Sequence, residues 1–196
     1  NLLIKQAKVV DPNSPHDGKR VDILIENGQL KSIRKNISSK AKTISGKNLH
    51  VSPGWFDMHV NFRDPGDEHK EDLNSGCRAA AFGGFTGVAC MPGTNPPLHT
   101  KADIEYIISK AEGNVVDVHP IGALSKGLQG KEMTEMYDMS LSGAVAFSDE
   151  KKPISSAGVL SRALLYVNMF NGLVPFGPRR CWATGPPSGA GSSGTR

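Results

Sequence analysis

A repeating order of strand, loop and helix after residue 53 limits the folds open to this chain more than any other feature. Short apolar segments typical of strands alternate with longer segments whose apolar residues recur at helical spacing. This order indicates a parallel sheet whose strands are joined by crossover helices. The predicted strands cover residues 55–61, 86–91, 115–121 and 144–148, and the predicted helices cover residues 70–82, 101–112, 131–140 and 156–171. The sequence therefore predicts an α/β fold built from four βα units.

The predicted helix over residues 101–112 has the clearest boundaries. Thr100 can cap its N terminus, and Asp103 follows three residues later, as in a capping box. Gly113 follows its last residue, where a left-handed residue often ends a helix. We therefore expect this helix to begin at residue 101.

Residues 1–52 predict a separate unit, a small antiparallel β-sandwich segment. Four short strands are expected within it, at residues 2–10, 21–26, 30–34 and 49–52. Asn27 and Gly28 predict a tight hairpin turn, because both readily adopt the positive φ values that such a turn requires. The predicted domains are thus residues 1–52, residues 53–173 and a tail of residues 174–196.

The composition of the chain changes sharply near residue 174. Residues 176–196 contain many Gly, Pro, Ser and Arg residues and no Lys, Ile or Asn. This composition is unsuitable for the fifth strand that is due there, and one interpretation is a flexible linker or disordered tail. We favour a second interpretation, a non-native or out-of-frame end. A nucleotide sequence that continues in the correct frame through Arg196 would contradict it.

The length of 196 residues is short for a closed barrel. A complete (β/α)8 barrel needs roughly 250 residues, so four units predict a partial TIM barrel. Such a partial barrel leaves two sheet edges unpaired and exposes apolar surface. We therefore expect the chain alone to be poorly stable, oligomeric or aggregated.

Composition and charge exclude several classes of protein. The net charge is +4, but three of the 23 basic residues lie in the acid-free tail, which leaves 20 basic residues against 19 acidic ones. The balance therefore gives no indication of nucleic-acid binding. No apolar run approaches the length of a membrane span, and the first residues lack a signal-peptide pattern, so we expect a soluble, cytoplasmic protein. The three cysteines lack the spacing of a disulfide framework or a thiolate zinc site.

The segment over residues 53–66 holds the residues with the clearest chemistry. Alternate side chains of a strand share a face, so Asp57, His59 and Asn61 are predicted to point the same way at the end of the first barrel strand. A His-x-His pair there would bind Zn²⁺, but the amide oxygen of Asn61 is a poor zinc ligand. By themselves these residues favour a hydrogen-bonded core histidine over a metal ligand.

The same segment resembles the dihydroorotase signature Asp-x-His-x-His-x-Arg-x-Pro-Gly, with Asn61 in place of the second His. Residues 79–88 resemble the helix-to-strand junction of that family, and residues 91–96 resemble its Met-Pro-Asn-Thr-x-Pro loop. Residues 144–150 resemble the family's Ala-Phe-(Ser/Thr)-Asp-Asp-Gly segment. The spacing between blocks also agrees, so the chain is identified as a member of this amidohydrolase family, with a degenerate metal-site motif.

The resemblance implies a zinc-dependent enzyme that closes N-carbamoyl-L-aspartate to dihydroorotate in pyrimidine biosynthesis. Its partner would thus be a small-molecule substrate. Zinc would polarise a carbonyl and activate a bound hydroxide. The implied metal ligands are His59, Asn61, Glu150 and Asp149. The implied substrate-binding residues are Arg63, Asn61, Gly93 and Asn95.

Arg63 is the implied contact for the substrate carboxylate, because its planar guanidinium matches a carboxylate with two hydrogen bonds. A structural alternative is a surface ion pair with Asp64 or Asp67. Given the motif, we prefer the substrate role.

Three positions depart from the family pattern and keep alternative functions open. Asn61 replaces a His, Gly93 replaces an Asn, and Glu150 stands where a metal-bridging Asp is expected. The family's general base belongs to later strands, so the catalytic residue is unknown here. The alternatives are a non-catalytic structural subunit that partners aspartate transcarbamoylase, and another cyclic-amide hydrolase such as an allantoinase or dihydropyrimidinase. We also expect a homo-oligomer.

Overall fold

The structure is a computed structural model that describes residues 1–150, 152, 154 and 156–175. Most of the predicted non-native tail, residues 176–196, lies outside the described residues. The chain divides into two compact units, Asn1–Gly54 and a second unit that begins at Trp55. Within the described residues, no helix is long and apolar enough to cross a membrane.

The first unit is one mixed β-sheet. Strands β1 and β2 pair antiparallel, as do β2 and β3, whereas β4 and β5 both run parallel to β1. The sequence did not predict strand β4, and the prediction of an antiparallel unit is wrong for β5. Short strands carry no sequence pattern that specifies their partner or direction. The strands are β1 (Leu2–Val9), β2 (Arg20–Glu26), β3 (Gln29–Arg34), β4 (Lys42–Ile44) and β5 (His50–Val51).

Two local features shape this sheet. Asn27 and Gly28 both have positive φ at the β2–β3 hairpin, which confirms the predicted turn. Strand β1 contains an irregularity at Gln6, whose φ is 53°. The buried carboxylate of Asp22 accepts hydrogen bonds from the Gln6 and Ile37 amides, both at 2.9 Å. These bonds satisfy backbone donors that the strand ladder leaves unpaired.

The second unit contains a four-stranded parallel sheet in the order β6-β7-β8-β9. All neighbouring strands run parallel, as the sequence predicts. The strands are β6 (Trp55–Val60), β7 (Phe85–Cys90), β8 (Asp117–Gly122) and β9 (Ala146–Phe147). Strand β9 is shorter than predicted.

Four helices accompany this sheet: α1 (Leu73–Phe82), α2 (Lys101–Ala111), α3 (Met136–Leu141) and α4 (Ala157–Asn168). Helix α2 begins as predicted, with a capping box between Thr100 and its third residue.

Two of these helices begin later than the sequence predicts. Helix α1 starts three residues late, because Asp72 caps it and accepts a hydrogen bond from the Ser75 amide. Helix α3 starts only at Met136. The preceding residues instead form a loop with a short 3-10 turn, closed by a bridge between Ser125 and Met133.

Strand β7 is buried on both faces. Val88 and Cys90 belong to the main core with the helices, whereas Ala89 and Met91 join a smaller cluster with β8 and β9 residues. Alternate side chains of a strand point to opposite faces, so β7 carries an apolar residue at each of these positions. The sheet is therefore a layer inside the unit, and its carboxyl edge carries the loops that hold the predicted site.

Candidate functional site

The predicted site residues follow the ends of three parallel strands. Because parallel strands end at one edge of a sheet, these residues share that edge. The residues after β6, β7 and β9, respectively, are Asn61 and Arg63, Gly93 and Asn95, and Asp149 and Glu150.

The loops that follow β6 and β7 pack directly against each other. The Asn95 amide donates a hydrogen bond to the Pro65 carbonyl at 2.9 Å. Gly66 has a φ of 98°, and a Cβ on it would lie 1.9 Å from the Asn95 carbonyl oxygen. Only glycine fits at position 66, which gives the Pro-Gly end of the motif a structural reason.

Arg63 lies in the β6 loop with a left-handed φ of 60°. Its Nη1 donates to the Gly93 carbonyl at 3.3 Å. The alternative, an ion pair with Asp64 or Asp67, is not seen among the described residues, although the Arg63 charge, after the hydrogen bond from Lys70, helps to lower the pKa of Asp67. Asp64 pairs with Lys110 at 2.8 Å, and Asp67 pairs with Lys70 at 3.0 Å. The substrate role of Arg63 stays a prediction.

A buried network lies behind Arg63, and the sequence did not predict it. Asp64 is fully buried, and its Oδ1 accepts hydrogen bonds from Tyr106 Oη at 3.1 Å and Lys110 Nζ at 2.8 Å. Its Oδ2 accepts from the Leu73 amide at 3.2 Å. The bond with Asp64, and then that with Tyr106, raises the pKa of Lys110. The four-residue spacing of Tyr106 and Lys110 placed them on one helix face, but no signal identified their partner.

Glu150 and Gly93 are in close contact. A Cβ on Gly93 would lie 1.9 Å from Oε2 of Glu150, so the carboxylate occupies the volume that a side chain at position 93 would need. The Glu150 amide donates to Ser148 Oγ at 3.1 Å, and the residue has a φ of 54°. Two departures from the signature are thus neighbours in space, which their sequence separation did not show.

Asp149 is buried and bonded to Ser125. Its Oδ1 accepts from the Ser125 amide at 2.8 Å, and its Oδ2 accepts from Ser125 Oγ. The carboxylate thereby ties the end of β9 to the loop after β8. Both carboxylate oxygens take part in this connection, which supports a structural role for Asp149.

His59 does not line the cavity to which the two residues predicted to share its face contribute. Asp57 and Asn61 line an open cavity of about 270 Å³ between β6 and α1, together with Glu71, whereas His59 is exposed and is not part of this lining. The register between β6 and β7 shifts between Asp57 and Val60. The His59 amide donates a hydrogen bond to Asp57 Oδ1 at 2.9 Å, so the two residues are in contact, and the common face stays a prediction.

The described residues do not fit a metal centre by themselves. Among them, no group of three or more His, Cys, Asp or Glu side chains could hold a metal ion. Of the predicted ligands, His59 is exposed, Asn61 lines the cavity, Asp149 is bonded to Ser125, and Glu150 lies against Gly93.

Two cysteines of the second unit are free thiols within its hydrophobic core. Cys77 and Cys90 are both buried, and Cys181 lies outside the described residues. Burial raises the pKa of the Cys90 thiol to about 11 and also raises the pKa of Cys77. Both thiols are therefore protonated at neutral pH and unsuited to nucleophilic chemistry.

Comparisons with known proteins agree with the fold and the motif. A family model described as dihydro-orotase-like matches residues 48–172. A dihydroorotase from Acetivibrio thermocellus is 45% identical over 172 residues, which cover 87% of this chain and 40% of that protein. A dihydroorotase from Trichlorobacter lovleyi is also 45% identical, over 169 residues that cover 85% of this chain and 40% of that protein.

Solved structures show the same architecture. The L-hydantoinase (dihydropyrimidinase) from Arthrobacter aurescens has a TM-score of 0.72 at 23% identity, over 89% of this chain and 40% of that one. At this identity the likeness shows the fold, which comprises a partial barrel of the amidohydrolase type and a separate sheet. The chain spans 40% of the length of the curated relatives described above.

Proposed function

The chain belongs to the dihydroorotase-like family, and we propose that it is the N-terminal part of an enzyme that interconverts N-carbamoyl-L-aspartate and dihydroorotate. In the forward direction the terminal ureido nitrogen forms a bond to the side-chain carboxyl carbon, and one water molecule leaves. The reverse reaction hydrolyses that cyclic amide. The α-carboxylate of the substrate takes no part in either direction and must be held in place.

The geometry of Arg63 is the observation that carries this proposal. The guanidinium lies at the carboxyl edge of the sheet and donates to the Gly93 carbonyl. The two nearest acidic residues in sequence, Asp64 and Asp67, pair with lysines instead. Because neither carboxylate is bonded to the Arg63 guanidinium, this planar donor group suits the spectator carboxylate of the substrate. Asn95, in the adjoining loop, and Asn61 would supply amide groups, and Gly93 would supply backbone.

Zinc is the metal that we propose for the whole protein. The support is the family signature, in which His59 is a ligand position. The described residues alone do not form the site, so a complete centre would need ligands from outside them. When bound, zinc would supply Lewis-acid activation of the reacting carbonyl. In this proposal, Arg63 and its loop bind and orient the substrate.

The alternative function is a non-catalytic structural subunit that partners aspartate transcarbamoylase. The similar curated relatives bear the name dihydroorotase, so the comparisons do not favour this alternative. A homo-oligomer, the aspartate transcarbamoylase partner and a cytoplasmic location all stay proposals. Metal content together with activity separates an enzyme from a structural subunit.

The decisive experiment uses the full-length gene product. Zinc is measured by mass spectrometry, and ring closure is assayed on N-carbamoyl-L-aspartate, with dihydropyrimidine and allantoin substrates tested in parallel. We expect Arg63→Ala to lower kcat/KM about 100-fold and Arg63→Lys to lower it about 10-fold, because lysine cannot form the paired hydrogen bonds. Arg78→Ala, an exposed change on α1, is the matched control. A protein without metal or activity would support the structural subunit. Turnover of only the dihydropyrimidine or allantoin substrates would indicate another cyclic-amide hydrolase and overturn the proposal.

A further inference from the structure

Helix α2 reaches the site through the residue next to Arg63. Lys110 Nζ and Tyr106 Oη both donate to Oδ1 of Asp64, at 2.8 and 3.1 Å, and Lys110 also bonds Tyr106 at 2.7 Å. The side chain of Lys110 is 34% exposed, whereas that of Asp64 is fully buried. A group near the outer surface of the helix therefore anchors a buried carboxylate that adjoins the predicted substrate contact.

The loop that carries Arg63 depends on such anchors. It has no regular secondary structure, and Arg63 adopts a left-handed φ that residues other than glycine seldom adopt. On one side, the Arg63 side chain donates to the Gly93 carbonyl, and the Asn95 amide donates to the Pro65 carbonyl. On the other side, Asp64 is bonded by the Leu73 amide and by the two side chains of α2.

We infer that Lys110 and Tyr106, acting through Asp64, are positioning residues that hold Arg63 in its binding geometry. The inference rests on the proposed function, in which Arg63 holds the substrate carboxylate. A carboxylate without its cation would be driven to leave the interior, because a buried unpaired charge is strongly unfavourable. Asp64 adjoins Arg63 in the chain, so its departure would carry the Arg63 backbone away from Gly93.

The first readout requires no catalysis. In the full-length gene product, Arg63 is labelled with phenylglyoxal, and the rate is measured by peptide mass spectrometry relative to exposed Arg78. We expect Lys110→Met to speed labelling of Arg63 about threefold or more, because the guanidinium loses its place on Gly93. Lys101→Met, at the exposed start of the same helix, should leave the rate unchanged. Lys110→Arg, which retains charge and donors, should restore the rate.

The second readout is whether the variants change KM or kcat. We expect Lys110→Met to raise KM for the substrate about tenfold while kcat changes less than about twofold, because binding geometry is lost and not a reacting group. Tyr106→Phe, which removes one donor and retains the ion pair, should show a smaller change in the same direction. If Lys110→Met does not fold, the double variant Asp64→Asn with Lys110→Met removes both charges and is labelled in the same way.

The two proposals fail separately. An inactive wild type that does not bind substrate would overturn the proposed function, while the labelling rates would still decide whether α2 holds Arg63. A folded Lys110→Met or double variant with an unchanged Arg63 labelling rate would overturn the positioning role, even in an active enzyme. A lower melting temperature with unchanged labelling and KM would likewise assign the network to stability alone.

Discussion

Oε2 of Glu150 lies where a side chain on Gly93 would begin, 1.9 Å from the position of an ideal Cβ. Real Cβ atoms do not approach another heavy atom so closely, so one of the two groups must move if residue 93 gains a side chain. Glycine at position 93 and glutamate at position 150 therefore form one structural arrangement. Two changes that look independent in the sequence are compatible with each other in space.

Gly93→Ala should destabilise the full-length protein by about 1–3 kcal/mol, because the added methyl group displaces the Glu150 carboxylate. Glu150→Ala removes the obstacle, so the double variant should lose less stability than the sum of the single variants. Urea unfolding of the four proteins measures this coupling. Gly46→Ala is the control, because a Cβ there meets no atom within 4 Å. Additive effects at positions 93 and 150 would refute the shared volume.

Ser125→Ala should cost about 1–3 kcal/mol, because it leaves an oxygen of the buried Asp149 carboxylate without its hydroxyl donor. The change should leave bound zinc unaltered if Asp149 has the structural role that its bonds to Ser125 indicate. Stability is measured by urea unfolding and zinc by mass spectrometry, with the exposed Ser38→Ala as control. A loss of zinc in Ser125→Ala at full stability would restore Asp149 as a metal ligand.

Much of the barrel unit follows from its sequence. The sequence predicts the order of four strands and four helices, the parallel direction of the strands and the start of α2. It does so because apolar periodicity and capping residues act over a few positions. The start of α3 could not be predicted in this way, because the bridge between Ser125 and Met133 depends on a contact across a loop.

The site is harder to predict than the fold, because its contacts join distant parts of the chain. The network of Asp64 with Tyr106 and Lys110 spans more than 40 residues, and no local pattern identifies it. The register of β6 against β7 also shifts between Asp57 and Val60, and local alternation gives no sign of such a shift. The motif identifies the family, but periodicity alone does not fix where its side chains lie.

The buried thiol of Cys90 should make stability fall at alkaline pH. Burial raises its pKa from 9.0 to about 11, so the folded protein retains a proton that the unfolded chain loses. The contribution is complete below about pH 9 and disappears as pH rises toward 11, with a loss of about 2–3 kcal/mol. Unfolding of wild type and Cys90→Ala is compared at several pH values. Equal slopes for the two proteins between pH 9 and 11 would contradict the raised pKa.

Strand β6 should promote self-association of the 196-residue chain. It lies at one edge of the described parallel sheet and exposes Trp55, Phe56 and Met58, which are 62%, 49% and 77% exposed. An edge with unpaired backbone groups and apolar side chains is a template for pairing with another chain. We expect light scattering to show oligomers or aggregates, and Met58→Lys to reduce them because a charge at the edge opposes pairing.

The matched control for this edge is Phe82→Lys on α1, which is 93% exposed but lies outside the strand. If pairing at β6 drives association, Met58→Lys should reduce the scattering more than Phe82→Lys does at equal protein concentration. Equal effects would indicate general apolar exposure as the cause. A monomeric wild-type chain with a sharp, cooperative melt would contradict the expectation itself, because it would show that the four described βα units are stable without a partner at β6.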